Sequence, residues 1–387
     1  MDFSLTAEQT AIRESISGIC RRFDDAYWLA KDQEGTFPED FYQAIARDGW
    51  LGICIPQNYG GSGLGVSEAA IMMQAISESG AGMSGCSALH MNIFGLNPVV
   101  VFGTEDQKRR MLPPIVAGEE KACFAVTEPD SGLNTAGLKT RAERRGDRYI
   151  VNGQKVWIST AKVAHKMLLL ARTASVGEGD QKSGLSLFYT DLDRKHVVVR
   201  ELEKMGRKAV DSNELFIDNL EVPLEDRIGE EGKGFEYILH GMNPERILIA
   251  AEAVGLGFAA IARAANYAKT RIVFDRPIGQ NQAIQHPLAK CWMALEAARL
   301  MLMSAAWQYD RGLPAGAAAN ASKYLAAEAA LEACQTAVIT HGGFGYAREF
   351  HVERYLREVF IPWIAPVSPH LILSYIAERV LGLPKSY

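Results

Sequence analysis

The 387-residue chain is 48% hydrophobic and 22% charged, with a formal net charge of −5 and a pI of about 6.0. That balance suits a globular protein with a sizeable core, and the lack of a basic block speaks against nucleic acid or an anionic membrane surface as partner. No run reaches the ~18 uninterrupted apolar residues of a membrane span. The opening MDFSLTAEQTAIRES has no signal-peptide apolar core, and the six cysteines are scattered without a CxxC, so a reducing, cytoplasmic setting is expected and a metal site is not.

Residues Thr6 to about Leu112 read mostly as helices. Leu5, Ile12, Ile16, Ile19 and Cys20 form a first amphipathic face. Phe37-Pro38-Glu39-Asp40 opens a second helix that Asp48-Gly49 closes. A third runs from about Ser67 to Ser79, and Thr104-Glu105-Asp106-Gln107 carries a capping signature for a fourth. The loop Pro56 to Gly65 is glycine-rich but is not GxGxxG and follows no clear strand, which makes it a weak phosphate cradle. From Lys121 the texture changes to short β-type runs: 122–126, 148–151, 155–158, 166–171, 185–190, 197–199 and 213–220. Turn signals at Arg145-Gly146-Asp147 and Asn152-Gly153 separate them. Helical periodicity returns after Gly229–Gly234 and lasts to the end. The expected organisation is α+β: an N-terminal helical domain over 1–120, a middle β domain over 121–228 and a C-terminal helical bundle over 229–387.

The central stretch of the bundle is Met242 to Gln282. Asn243 suits an N-cap, Pro244 a first helical position, and a long Ala/Ile/Leu-rich helix should follow to about Lys269. Gly255-Leu256-Gly257-Phe258-Ala259-Ala260 matches GxGxxA, but it sits inside that helix rather than after a strand, and no strand–helix alternation supports a dinucleotide fold. Glu245 falls in the first turn. It is either a carboxylate that complements the helix dipole or a general base that a substrate would bury.

Several motifs in order resemble the flavin-dependent acyl-CoA dehydrogenases: Tyr59-Gly60-Gly61, Phe102-Gly103-Thr104-Glu105, Thr127-Glu128-Pro129, Asn152-Gly153-Gln154-Lys155-Val156-Trp157-Ile158, Gly232-Lys233-Gly234-Phe235, Arg271 with Phe274, and His341-Gly342-Gly343-Phe344-Gly345-Tyr346. The resemblance covers nearly the whole chain and implies a helical domain, a β domain and a C-terminal four-helix bundle, with FAD between sheet and bundle. By it, Phe124, Val126, Thr127, Trp157 and Ser159 line the flavin ring. Arg271, Phe274, Gln282 and the His341, Gly342, Gly343 turn meet the adenosine diphosphate half of a neighbour's FAD, and Ser368 also falls on the cofactor. Leu133, Asn243 and Arg246 face the substrate. A symmetric homo-oligomer, a dimer of dimers, is implied. An electron-transferring flavoprotein is the implied acceptor.

Most members of that family carry the base in a late Tyr-Glu-Gly-Thr loop. Here the matching stretch is Ile364-Ala365-Pro366-Val367-Ser368, with Pro366 in the glutamate's place. A smaller branch, which includes isovaleryl-CoA and long-chain acyl-CoA dehydrogenases, puts the base where Glu245 stands. The activity implied is α,β-dehydrogenation of an acyl-CoA thioester, with Glu245 taking the α-proton. Proline has no N–H, so a neighbouring residue, Ala365 or Val367, is expected to supply the loop's donor to the thioester oxygen. One alternative is a flavin monooxygenase or oxidase on the same fold, against which Glu245 and Pro366 argue; the other is a low-activity subunit of a heteromeric dehydrogenase, for which two departures, Leu133 for a hydroxyl residue and Ile339 for a glutamine, leave room.

Overall fold

A computed structural model of the chain describes residues 4–174 and 183–386. Seven helices come first: α1 (Ala7–Cys20), α2 (Asp25–Glu34), α3 (Glu39–Arg47), α4 (Val66–Ile76), α5 (Gly82–His90), α6 (Asn97–Phe102) and α7 (Glu105–Val116). Ile12, Ile16, Ile19 and Cys20 are the buried face of α1. Thr104 and Gln107 form the reciprocal cap of α7. The sequence reading passed over α2 and the run beyond Ser79. There α4, a π-turn at Ser77–Ala81, α5 and a second π-turn at Met91–Gly95 follow one another almost without a break. That run is buried on all sides and so lacks the one-sided pattern that marks a surface helix. The glycine-rich loop folds onto its own backbone: Ser62, Gly63 and Leu64 donate their N–H groups to the carbonyls of Gly52, Ile55 and Ile53. Those donors are spent, so no anion cradle results.

The sheet comprises β1 (Ala122–Ala125), β2 (Arg141–Arg145), β3 (Arg148–Ser159), β4 (Lys166–Arg172), β5 (Leu185–Asp191), β6 (Val197–Glu201), β7 (Ser212–Pro223) and β8 (Arg227–Ile228), in the order β6-β7-β3-β2-β4-β5-β8 with β1 parallel to β4. The runs 148–151 and 155–158 are one strand, not two. Asn152-Gly153 is no hairpin turn: it lies within β3 at a register shift against β7, where Gly153 passes so close to Thr140 that an added Cβ would fall 2.4 Å from its Oγ1. A glycine here serves close approach rather than chain reversal.

The last part holds α8 (Gly234–His240), α9 (Met242–Thr270), a small hairpin β9 (Ile272–Val273) and β10 (Arg276–Pro277), then α10 (Gln282–Asp310), α11 (Gly316–His341), α12 (Val352–Glu358), α13 (Phe360–Ile364) and α14 (Pro369–Arg379). Helix α9 packs against α4, α10 and α11 and is buried nearly all round. Gly255 and Gly257, the false dinucleotide signature, let neighbours approach: a Cβ on the first would lie 2.5 Å from the Gln74 carbonyl oxygen, and on the second 2.5 Å from Leu295 Cδ2. Asn243 is not the N-cap. Gly241 joins α8 to α9 in helical conformation, and Asn243 is inside the helix. The carboxylate of Asp310, at the end of α10, caps α4 instead by accepting from the N–H groups of Val66 (2.7 Å) and Ser67 (2.9 Å).

Three helical runs, Val66–Phe102, Gly234–Thr270 and Val352–Arg379, are long and apolar enough to cross a membrane by length and composition. The sequence expectation counted uninterrupted apolar residues and so missed them. The first two are mostly buried inside the fold, whereas the third is mostly exposed on this chain.

Two family motifs meet in one buried ion pair. Lys155 Nζ, fully buried, donates to Glu128 Oε1 (2.9 Å) and to the carbonyls of Val126 (3.1 Å) and Leu170 (2.7 Å). Glu128 also accepts from the N–H groups of Lys139 (2.6 Å) and Thr140 (2.9 Å). Burial alone would raise the Glu128 pKa; Lys155 and these donors outweigh it and hold it low. Removing one partner strands the other charge, so Lys155→Met should destabilise the fold by about 3–5 kcal/mol in urea unfolding. Stability within about 0.5 kcal/mol of the unaltered chain would contradict this.

Candidate active site

Glu245, in the first turn of α9, is buried. Its Oε2 is in a very short contact with Nε2 of His90, the last residue of α5. The other imidazole nitrogen, Nδ1, lies 2.5 Å from Oε1 of Glu252. Glu245 and Glu252 are seven residues apart, two turns of one helix, and so share a face. His90 bridges them. Glu245 Oε1 makes no hydrogen bond among the described residues and is not among the buried unpartnered atoms, so it is the oxygen that still reaches solvent. Glu252 Oε2 is buried without a partner among the described residues.

The charges follow from this geometry. Burial pulls the His90 pKa down, but the two carboxylates more than reverse that and lift it from 6.5 to about 10. Burial raises the pKa of Glu252, against the opposing pull of His90. A buried carboxylate of this kind requires a cation or a proton.

From His90 the rings continue outward. Its imidazole is 4.6 Å from the Phe94 ring, and Phe94 is 5.4 Å from Phe124 on β1. The carbonyl of Thr127 accepts from the N–H of Val156 (2.9 Å), which puts the Thr127 and Trp157 segments side by side. Trp157 stands at the second register shift of β3 with φ of +62° and is 60% exposed. A strained backbone that holds a large aromatic out of the core suits a wall for a flat ligand. Arg207 fastens this edge to α5, donating to Ser159 Oγ (2.9 Å) and Ser87 Oγ (3.2 Å). Phe124, Val126, Thr127, Trp157 and Ser159 therefore gather on one side of the Glu245 cluster.

Arg271, Phe274, Gln282, His341, Gly342 and Gly343 do not join them. Glu245 and Arg271 are at opposite ends of α9, about 39 Å apart at 1.5 Å per residue. At that far end Arg271 lies over the Phe344 ring (5.3 Å) and Phe274 is 93% exposed. Among the described residues, a Cβ on Gly342 or Gly343 would meet nothing within 4 Å. His341 itself is turned inward, stacked on Tyr267 at 4.3 Å and bonded to the Ala337 carbonyl.

Asn243 and Arg246 bond each other (Nη1 to Oδ1, 3.2 Å), and Arg246 Nε is buried without a partner among the described residues. Leu133 is exposed. Ser368 caps α14 through its Oγ. In the late loop, the Ala365 N–H is already given to the Ile361 carbonyl (2.9 Å), which removes one of the two expected donors and leaves Val367. Lys323 of α11 tethers that loop by donating to the carbonyls of Trp363 (3.1 Å) and Val367 (2.7 Å); burial first, then Arg246, push its pKa down to about 8.

Sequence reasoning missed His90, Glu252, Lys323 and Arg207. The available signal was an ionisable residue within an otherwise apolar run, as with His90 between Leu89 and Met91 and Glu252 between Ala251 and Ala253.

Comparison with known proteins agrees with this architecture. Family models described as the N-terminal, middle and C-terminal domains of acyl-CoA dehydrogenase match residues 6–119, 123–220 and 232–365. The acyl-CoA dehydrogenase FadE12 of Mycobacterium tuberculosis is 35% identical over 391 residues, covering 100% of this chain and 99% of that protein. Among solved structures, glutaryl-coenzyme A dehydrogenase with glutaryl-CoA superposes at a TM-score of 0.93 with 30% identity, covering 100% of this chain and 98% of that one. The FAD complex of PigA superposes at 0.93 with 27% identity, covering 99% and 100%. The chain belongs to the acyl-CoA dehydrogenase family. It is an oxidoreductase of that family, with its fold, and FAD is the family's cofactor. The aromatic edge at Phe124 and Trp157 and the open turn at Gly342 and Gly343 fit such a ligand.

His90 gives a pH signature. Its folded pKa is above its unfolded value, so the stability it contributes is complete below about pH 6.5 and is lost as pH rises toward about 10. Urea unfolding should show this decline, and His90→Gln should flatten it. An unchanged slope in that variant would contradict the assignment.

Proposed function

We propose that this protein dehydrogenates an acyl-CoA thioester between Cα and Cβ, with Glu245 as the general base. One observation carries the reading: Glu245 is held by one oxygen at the head of α9 with the other free, while the late loop 364–368 contains no carboxylate. Bound FAD supplies the acceptor for the β-hydride. Phe124, Val126, Thr127, Trp157 and Ser159 shape its ring site and keep water from one face. Glu245 Oε1 takes the α-proton. The Val367 N–H is available to hold the thioester oxygen as charge develops there. Arg246 and Asn243 face the CoA portion.

The second residue set, at the far end of α9, would serve a neighbour's FAD, which calls for a homo-oligomer. Exposed Trp292, Met293, Leu300 and Trp307 along α10, with Leu373, Leu381 and Leu383 near the C-terminus, supply apolar surface for such an assembly. A dimer of dimers is the proposed form. We also propose a division at 1–120, 121–228 and 229–387, a cytoplasmic location and an electron-transferring flavoprotein as acceptor.

Glu245→Gln should retain FAD and acyl-CoA binding but slow anaerobic flavin bleaching by at least ~100-fold. Bleaching at the unaltered rate would refute the base assignment. In light scattering the FAD-loaded protein should be an oligomer; a monomer with stoichiometric FAD would refute the shared site.

A further inference from the structure

We propose that His90 and Glu252 are positioning residues for the base: Glu252 fixes the imidazole at Nδ1, and the imidazole holds Glu245 by Oε2 so that Oε1 faces the substrate. The inference rests on the reading of Glu245 as the base and adds a charge role to it.

Consider the cluster as the reaction proceeds. Before reaction, one imidazolium lies between two carboxyl groups in a dry interior. When Oε1 takes the α-proton, Glu245 becomes neutral. The electron pair left on the α-carbon would become the new double bond, with bound FAD supplying the acceptor for the β-hydride. The His90 charge has then lost one of its two counter-charges at the moment of proton transfer. Glu252 remains, so the imidazolium is never uncompensated. A histidine with Glu245 as its sole partner would oppose the transfer, because protonating that partner would strand a buried cation.

The surroundings leave that duty to Glu252. Facing the cluster are Arg207 from the β6–β7 loop, Arg246 from α9, Lys323 from α11, Cys86 on His90's own helix, and Glu358 of α12, which acts on Arg207. Arg207 and Lys323 donate to hydroxyls or carbonyls, not to the cluster. Among the described residues, only Glu252 bonds His90 opposite Glu245.

The test is anaerobic flavin reduction by an acyl-CoA that bleaches the unaltered holoenzyme, followed across about pH 6–9, with Glu245→Gln, His90→Gln, Glu252→Gln and Glu252→Asp alongside. FAD absorbance and acyl-CoA affinity are measured for each. His90→Gln keeps an N–H for Glu245 but no charge. Glu252→Gln should keep FAD and acyl-CoA affinity, reduce roughly tenfold to a hundredfold more slowly, and show an ionisation step within this range that the unaltered enzyme lacks. Glu252→Asp, which keeps the charge, should restore the unaltered profile.

If His90→Gln and Glu252→Gln both reduce at the unaltered rate and profile while Glu245→Gln is inactive, the base stands and this inference is overturned. If Glu245→Gln is active, the base reading itself has failed. Should Glu252→Gln not hold FAD, Glu252→Asp decides: an unaltered profile supports the inference, and a slow, pH-shifted one overturns it.

Discussion

Two carboxylates on one face of a buried helix cannot both stay ionised in an apolar interior without a cation between them. Here the cation is the His90 imidazole, delivered from α5. Meeting that constraint links the N-terminal helices to the bundle: α5 must end where α9 begins, and the helical run from α4 must be placed to about an ångström to bring Nδ1 and Nε2 to their partners. The glycines that let α4 and α10 approach α9, and the Asp310 cap that seats α4, serve that placement.

The sheet meets the cluster from the other side. The Glu128–Lys155 pair binds the Thr127 and Trp157 segments into one edge, and Arg207 fastens that edge to α5 three residues before His90. A ring wall and a base thus rest on a common frame although they come from different layers. Such sites are precise because each side chain is fixed by a partner that is itself buried.

Much of this was legible in the chain itself. Most strands of the sheet (not β2 or β8, and β3 only as two runs), the cap at Thr104, the long helix after Met242 and the family's motifs rest on local signals: alternation, turn chemistry and capping. What escaped was non-local. Asn152-Gly153 has turn chemistry, yet tertiary pairing across β7 draws it into a strand. Asn243 has capping chemistry, yet Gly241 continues the helix through it. His90 and Glu252 are 162 residues apart and meet only through the crossing of α5 and α9. Their sole mark in sequence is charge in an apolar setting, which does not name a partner.

The account's central claim is that Glu245 works from a fixed position, one oxygen on His90 and one on the substrate. A crystal structure of the FAD-loaded protein with a non-reactive acyl-CoA analogue measures this directly. The account predicts the thioester α-carbon within about 3–3.5 Å of Glu245 Oε1, with Oε2 still on the imidazole. An α-carbon facing the 364–368 loop, with Glu245 sealed behind His90 and out of reach, would contradict it.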